Sequence, residues 1–227
     1  THLGHSFPTR RSSDLEVTIL TAMPNYPKGE IFEQYKGKKI VKEEIDGIKI
    51  VRTRIYVSKE KSFVKRLMNY LSFTFTSVLE GAKHIENQDM IITESPPLFL
   101  GWSGYVLSKK KKAKFIFNVS DLWPESAVKL GVLNNKLFIK MSTWLEEFCY
   151  RKADAVTGQT RGIVDNIVGR GFDKSKVHLI TNGVDTDLFK KENRDEDFRK
   201  ELDIENKFAI CYAGIQDRKS TRLNSSH

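Results

Sequence analysis

Several scarcities narrow what this chain of 227 residues can be. Only two cysteines occur, Cys149 in a helical pattern and Cys211 in a strand pattern, which excludes a disulfide-stapled scaffold and reads as reduced core thiols of a cytosolic protein. The longest apolar runs are strand-length, far short of the roughly 20 residues of a membrane span, and the beginning of the chain carries no apolar signal region. No G-x-G-x-x-G follows a strand pattern; Gly169 and Gly171 are too few and follow a helix, which argues against a dinucleotide-dependent oxidoreductase or epimerase. Internal repeats and low-complexity tracts are absent. His84 and His178 have no partner pattern and read as structural.

What remains is an ordinary globular composition, 39% hydrophobic and 11% aromatic, in a chain long enough for one domain or one and a half. The formal charge of +9 raises a nucleic-acid reading, but the ends inflate it. Residues 217–227, DRKSTRLNSSH, open with what GATCGGAAGAGC encodes, Asp217-Arg218-Lys219-Ser220, and that string resembles a sequencing-library adapter. The reverse complement of the same string supplies Ser12-Ser13-Asp14 within HSFPTRRSSDL at the other end. Residues 1–14 and 217–227 are therefore set aside as foreign tails, which hold three of the nine net positive charges. The basic residues of the remainder match no nucleic-acid-binding module.

Periodicity then predicts alternating elements. Strands are expected at 16–21, 48–57, 89–93, 113–119, 153–157 and 177–180. Helices are expected at 61–86, 97–109, 124–130, 135–151 and 160–168, and residues 25–47 read as an active-face loop with some helix. Strands separated by helices imply a parallel sheet with helices on both faces, an α/β Rossmann-like architecture. Ligands of such folds sit outside the carboxyl ends of the strands. After Asn182 the chain turns charged, so residues 190–206 read as a linker and 207–216 as the first strand of a further domain.

Five segments just after strands carry the candidate site. Ile180-Thr181-Asn182-Gly183-Val184-Asp185, with Phe189 four residues on, is the most specific; Asn182-Gly183 supplies positive φ for a sharp turn and Phe189 an anchor. Asn118-Val119-Ser120-Asp121-Leu122-Trp123-Pro124-Glu125 places Asp121 at a strand end, either as a cleft carboxylate that can accept hydrogen bonds or take a proton, or as the cap of the helix near Pro124. Glu94-Ser95-Pro96-Pro97 offers Ser95 and Pro96, and Gln159-Thr160 offers Thr160, with a simple helix start or cap as the plainer alternative. Asn25 and Tyr26, between two prolines, follow the first strand. Asp185-Thr186-Asp187 mimics a D-x-D metal motif but lies inside the Asn-Gly turn, so no metal is expected.

In this order these segments resemble family 4 glycosyltransferases: N-G-V-D-x-x-x-F with Thr181 in place of the usual proline, the D-L-W-P-E of bacterial amino-sugar transferases, and weaker likenesses at 22–27 and 94–97. The resemblance spans residues 16–215 and implies the N-terminal half of a GT-B fold (residues 15–189 here), with acceptor binding in this half and metal-independent retaining transfer. It implies a nucleotide sugar as donor substrate, no cofactor, and a glycan or lipid-linked acceptor in cell-envelope polysaccharide assembly. The acceptor-side candidates it gives are Asp121 as catalytic residue and Asn25, Tyr26, Ser95, Pro96, Thr160, Asn182 and Gly183 as cleft residues. It further implies that a first strand with a glycine-rich loop belongs before Glu16 and a donor domain after Gly214, so the fragment alone is expected to be inactive. The run Lys109 to Lys112 with Lys114, beside the aromatic residues Phe63, Tyr70, Phe73 and Phe75, is read either as solvated charge or as a patch for anionic lipid headgroups. That gives a cytoplasmic location, with peripheral attachment to the inner face of the membrane as the second expectation. A non-catalytic membrane- or polyanion-binding module is the alternative to a transferase.

Overall fold

The computed structural model describes residues 15–60, 62–187 and 196–209. They fall into two compact units divided after Gly183.

The first unit opens with β1 (Thr18–Ala22), β2 (Ile40–Ile45) and β3 (Ile48–Thr53), which form a sheet of order β1-β3-β2. β1 runs parallel to β3, while β2 and β3 are an antiparallel hairpin. This corrects the expectation of a loop over 25–47. Asp46 and Gly47, at φ 52° and 75°, make the two-residue connection that twists with its strands, and an Asp-Gly pair suits two left-handed residues. Glu43 and Arg52 pair across the hairpin, and the Tyr35 hydroxyl donates to Glu43 at 3.0 Å.

Next come α1 (Phe63–Leu79), β4 (Met90–Ser95), α2 (Phe99–Lys111), β5 (Lys114–Val119), α3 (Glu125–Lys129), α4 (Lys136–Lys152), β6 (Ala155–Gly158), α5 (Arg161–Gly169) and β7 (Val177–Leu179). β4-β5-β6-β7 are all parallel and flanked by helices, as the alternation implied. The helix expected over 61–86 stops at Leu79. At Gly81 a Cβ would stand 2.7 Å from the Leu20 side chain, so β1 and this turn approach too closely for a side chain. Three helices start where short polar side chains cap them: the Ser62, Asn135 and Thr160 oxygens accept from the N–H groups of Lys65, Phe138 and Ile163.

A smaller core cluster joins Val51, Val78, Ile85 and Leu107, and the larger one sits on one face of the four-stranded sheet. Phe115, Phe117 and Val119, alternate residues of β5, are buried with Leu98, Cys149, Tyr150, Val156, Ile163 and Ile167. Rings continue the packing, Phe117 to Tyr150 at 6.0 Å and Tyr150 to Phe172 at 5.0 Å. α2 reaches this face by being thin: its buried residues include Gly101, Ser103, Gly104 and Ser108. A Cβ on Gly104 would come within 1.9 Å of Thr93 Oγ1, and one on Gly101 within 2.4 Å of Cys149 Sγ. Burial pushes the Cys149 thiol up to about 12, which fits a core thiol.

In the second unit, residues 196–201 are the helix α6, so the expected linker over 190–206 contains a helical turn and more. Phe208 and Ala209 are not in a strand, and the rest of the strand expected at 208–212 lies outside the described residues, as do Phe189 and Cys211.

Candidate functional site at the carboxyl edge

Four of the predicted segments converge because a parallel sheet brings all its strand ends to one edge. β4 pairs in register with β5 up to Ser95 opposite Val119, and β5 with β6 up to Val119 opposite Gly158. Past these positions backbone bonds step from strand to strand: Ser120 N–H to the Ser95 carbonyl at 2.9 Å, Gln159 N–H to Val119 at 3.3 Å and Ile180 N–H to Gly158 at 3.0 Å. Ser95, Pro96, Asp121, Thr160, Asn182 and Gly183 therefore share one edge. Asn25 and Tyr26 follow β1 in the other sheet.

Individual placements differ. Asp121 is exposed; its Oδ2 accepts from the Ser126 hydroxyl at 3.0 Å, and no side chain caps α3, whose preceding residue is Pro124. Ser95 belongs to β4 and is 2% exposed, whereas Pro96 is exposed. The Thr160 hydroxyl is occupied with the α5 cap at 3.3 Å. The Asn25 amide donates to its own loop at the Met23 carbonyl, 2.9 Å, while the Tyr26 ring is 80% exposed.

Asn182 and Gly183 depart from expectation. Neither has positive φ, because the chain leaves β7 without turning. The bend comes later, where the Asp187 N–H donates to Asp185 Oδ1 at 2.9 Å, a side chain standing in for a turn carbonyl.

The sequence reading passed over a side-chain relay along this edge. The Asn182 amide donates to Gln159 Oε1 at 3.3 Å, the Gln159 amide to Ser120 Oγ at 2.7 Å, and the Ser120 hydroxyl to Glu94 Oε1 at 2.8 Å. Each donor points toward Glu94, which collects the last bond. One strand row below, the Thr157 hydroxyl donates to Asn118 Oδ1 at 2.6 Å. No local pattern marks these partners, since each bond joins residues 23 to 39 positions apart.

The basic run is largely tied down. Lys110 Nζ donates to the Val78 carbonyl at 3.4 Å, Lys111 Nζ to Ile85 at 2.7 Å, and Lys109 sits over the Tyr105 ring at 5.5 Å. A cavity of about 360 Å³ lies at the opposite, amino end of the sheet, lined in part by Tyr150, Arg170, Phe172 and Lys176. Its arginines are bound to carboxylates, Arg170 to Glu146 at 2.8 Å and Arg151 to Glu147 at 3.2 Å, so the edge rather than this cavity is the candidate site. No helix among the described residues is long and apolar enough to cross a membrane.

A parallel α/β sheet that gathers polar loops at its carboxyl edge and its aromatic core on one face is a Rossmann-like domain. Residues 9–183 match the family described as Glycosyl transferase 4-like domain, and the chain belongs to that family. The match ends at the same residue as the first compact unit and begins inside the segment read as a foreign tail. The chain is also 26% identical over 206 residues to a protein of Escherichia coli (strain K12) named "Putative colanic acid biosynthesis glycosyl transferase WcaI". The alignment covers 88% of this chain and 50% of that relative, so the chain spans about half the relative's length. The α/β fold is consistent with the N-terminal half of a GT-B glycosyltransferase.

Proposed function

We propose that this chain is the acceptor side of a glycosyltransferase that moves a hexosyl or N-acetylhexosaminyl group from a nucleotide sugar to a glycan or lipid-linked acceptor in polysaccharide assembly. The observation that carries the reading is the convergence of four polar segments at the carboxyl edge of a Glycosyl transferase 4-like domain, with Asp121 exposed among them. In this reading Asp121 accepts the proton or hydrogen bond of the attacking acceptor hydroxyl, and Ser126 holds the carboxylate oriented. Asn182, Gly183, Thr160, Ser95 and Pro96 shape the surrounding edge, and Tyr26 offers an exposed ring on which a sugar can stack. The donor's diphosphate binds residues outside this unit, transfer is retaining and needs no metal, and the chain by itself does not turn over. The protein encoded by the full reading frame should transfer sugar from a nucleotide-sugar panel to envelope glycan acceptors, and Asp121→Asn should cut kcat by about 100-fold. Unchanged turnover would remove Asp121 from the chemistry.

A peripheral membrane position is supported by a face other than the expected lysine run. On α4, Leu137, Met141 and Trp144 are 68%, 59% and 61% exposed at helical spacing, beside exposed Lys136 and Lys140. Apolar residues flanked by lysines fit an anionic bilayer surface. Binding to phosphatidylglycerol vesicles should fall with Trp144→Ala and with salt; indifference to both would remove this surface.

A further inference from the structure

The face of β4–β7 opposite the aromatic core changes character along its length. Ile92, Ile116 and Ala155 begin it, and a polar row then crosses the whole sheet: Glu94 is opposite Asn118, Asn118 opposite Thr157 and Thr157 opposite His178. Two residues further along β5 and β6 stand Ser120 and Gln159, with Asn182 beyond β7, the members of the relay that ends on Glu94. Parallel strands are ordinarily apolar on both faces because helices cover them. A row of four polar side chains in register, although Thr157 within it is buried and bonded to Asn118, is therefore suited to meet something polar.

Its charge says what. The segments 94–97, 118–126, 158–160 and 180–183 contain the carboxylates Glu94, Asp121 and Glu125 and no lysine or arginine, and exposed Arg161, the first residue of α5, follows directly on Thr160. Glu125 is paired with Lys129 at 2.5 Å. Glu94 and Asp121 accept from serine hydroxyls at 2.8 and 3.0 Å, and among the described residues neither has an ion-pair partner. Unneutralised carboxylates accept hydrogen bonds from hydroxyls and repel a second anion.

Resting on the acceptor-side reading above, we propose that Glu94 is the hydrogen-bond acceptor for a hydroxyl of an uncharged sugar, that Ser120 and Gln159 are the positioning residues fixing its carboxylate, and that this edge selects neutral acceptors over uronic acids or phosphorylated sugars. The relay occupies Oε1 and leaves Oε2 to receive the sugar hydroxyl.

The test titrates the 227-residue chain, followed by protein NMR, with methyl β-D-glucoside and methyl β-D-glucuronide, probes that differ only in the carboxylate at C6. The glucoside is expected to saturate and the glucuronide to bind at least about tenfold more weakly. Glu94→Gln should weaken the glucoside about tenfold and narrow the gap between the two probes, which loss of a merely structural bond would not do. Ser120→Ala should weaken the glucoside while leaving the chain folded, and Ser120→Thr, which keeps the hydroxyl, should restore it; these variants decide the matter if Glu94→Gln unfolds. Equal binding of the two probes, an unchanged gap in Glu94→Gln, or no saturation by the glucoside overturns the proposal. Sugar transfer by the product of the full reading frame with an unaltered acceptor KM in Glu94→Gln would overturn this subsite and leave the transferase reading standing; absence of transfer by the unaltered product would overturn that reading instead.

Discussion

The two ends of the four-stranded sheet treat polar side chains in opposite ways. At the amino end charge is cancelled locally. Asp154 accepts the Phe115 N–H at 2.9 Å and Lys114 Nζ at 3.0 Å, while Arg170 reaches Glu146 and Glu147 at 2.8 and 3.4 Å and Tyr150 donates to Glu146 at 2.9 Å. At the carboxyl end Glu94 and Asp121 are held by serine hydroxyls through neutral donors. The first is a closed ion-pair set; the second leaves two carboxyl groups with no ion-pair partner among the described residues. The difference separates carboxyl groups closed into ion pairs from carboxyl groups held by neutral donors within one unit, where charge content alone does not.

Mutation should break the comparison most strongly at the amino end. Glu146 is 3% exposed, and burial pushes its carboxyl up against the pull of Arg170 and Tyr150. Glu146→Ala removes the shorter, buried ion pair of Arg170, leaving it the longer contact to Glu147, and should cost about 3 kcal/mol in chemical denaturation. Between the ends, Gly104→Ala forces α2 off Thr93 and Phe115 and should cost about 2 kcal/mol by the same measurement. At the carboxyl end Ser120→Ala should cost under about 1 kcal/mol, since only hydrogen bonds in a partly open surface are lost.

The smallest effect sharpens the contrast by pH. The Phe115 N–H, and then Lys114, hold the Asp154 carboxyl below its ordinary range. A lowered folded value means that the contribution is present above the ordinary aspartate range and is lost as the pH falls through the lower value. The Tm difference between the wild type and Asp154→Asn should therefore be largest near neutrality and close in acid. A gap that widened in acid would contradict the assignment.

Much of this was legible in the sequence. Among the described residues, the 3.6-residue and two-residue periods located five of the six α-helices and six of the seven strands, because those elements bury a face and the face repeats. β2 escaped because IVKEEI is half charged and does not alternate, with Ile45 itself 36% exposed; the Asp-Gly pair after it was the available signal. The edge position of Asp121, Ser95 and Asn182 followed from strand order, but the burial of Ser95 did not, since it depends on how far β4 runs. The relay through Ser120 and Gln159 depends on register between strands that lie apart in the chain, which no local pattern encodes. Asn182-Gly183 misled because the pair permits a left-handed turn without requiring one.

The central claim is that the carboxyl edge is the acceptor side of a glycosyltransferase. It is met most directly by incubating the product of the full reading frame with nucleotide sugars and a neutral glycan acceptor, and following glycosidic product by mass spectrometry. The account predicts a product one sugar longer and its loss in Asp121→Asn with the fold intact. An intact protein that forms no such product from any nucleotide sugar, or that forms it equally well without the Asp121 carboxylate, would contradict it.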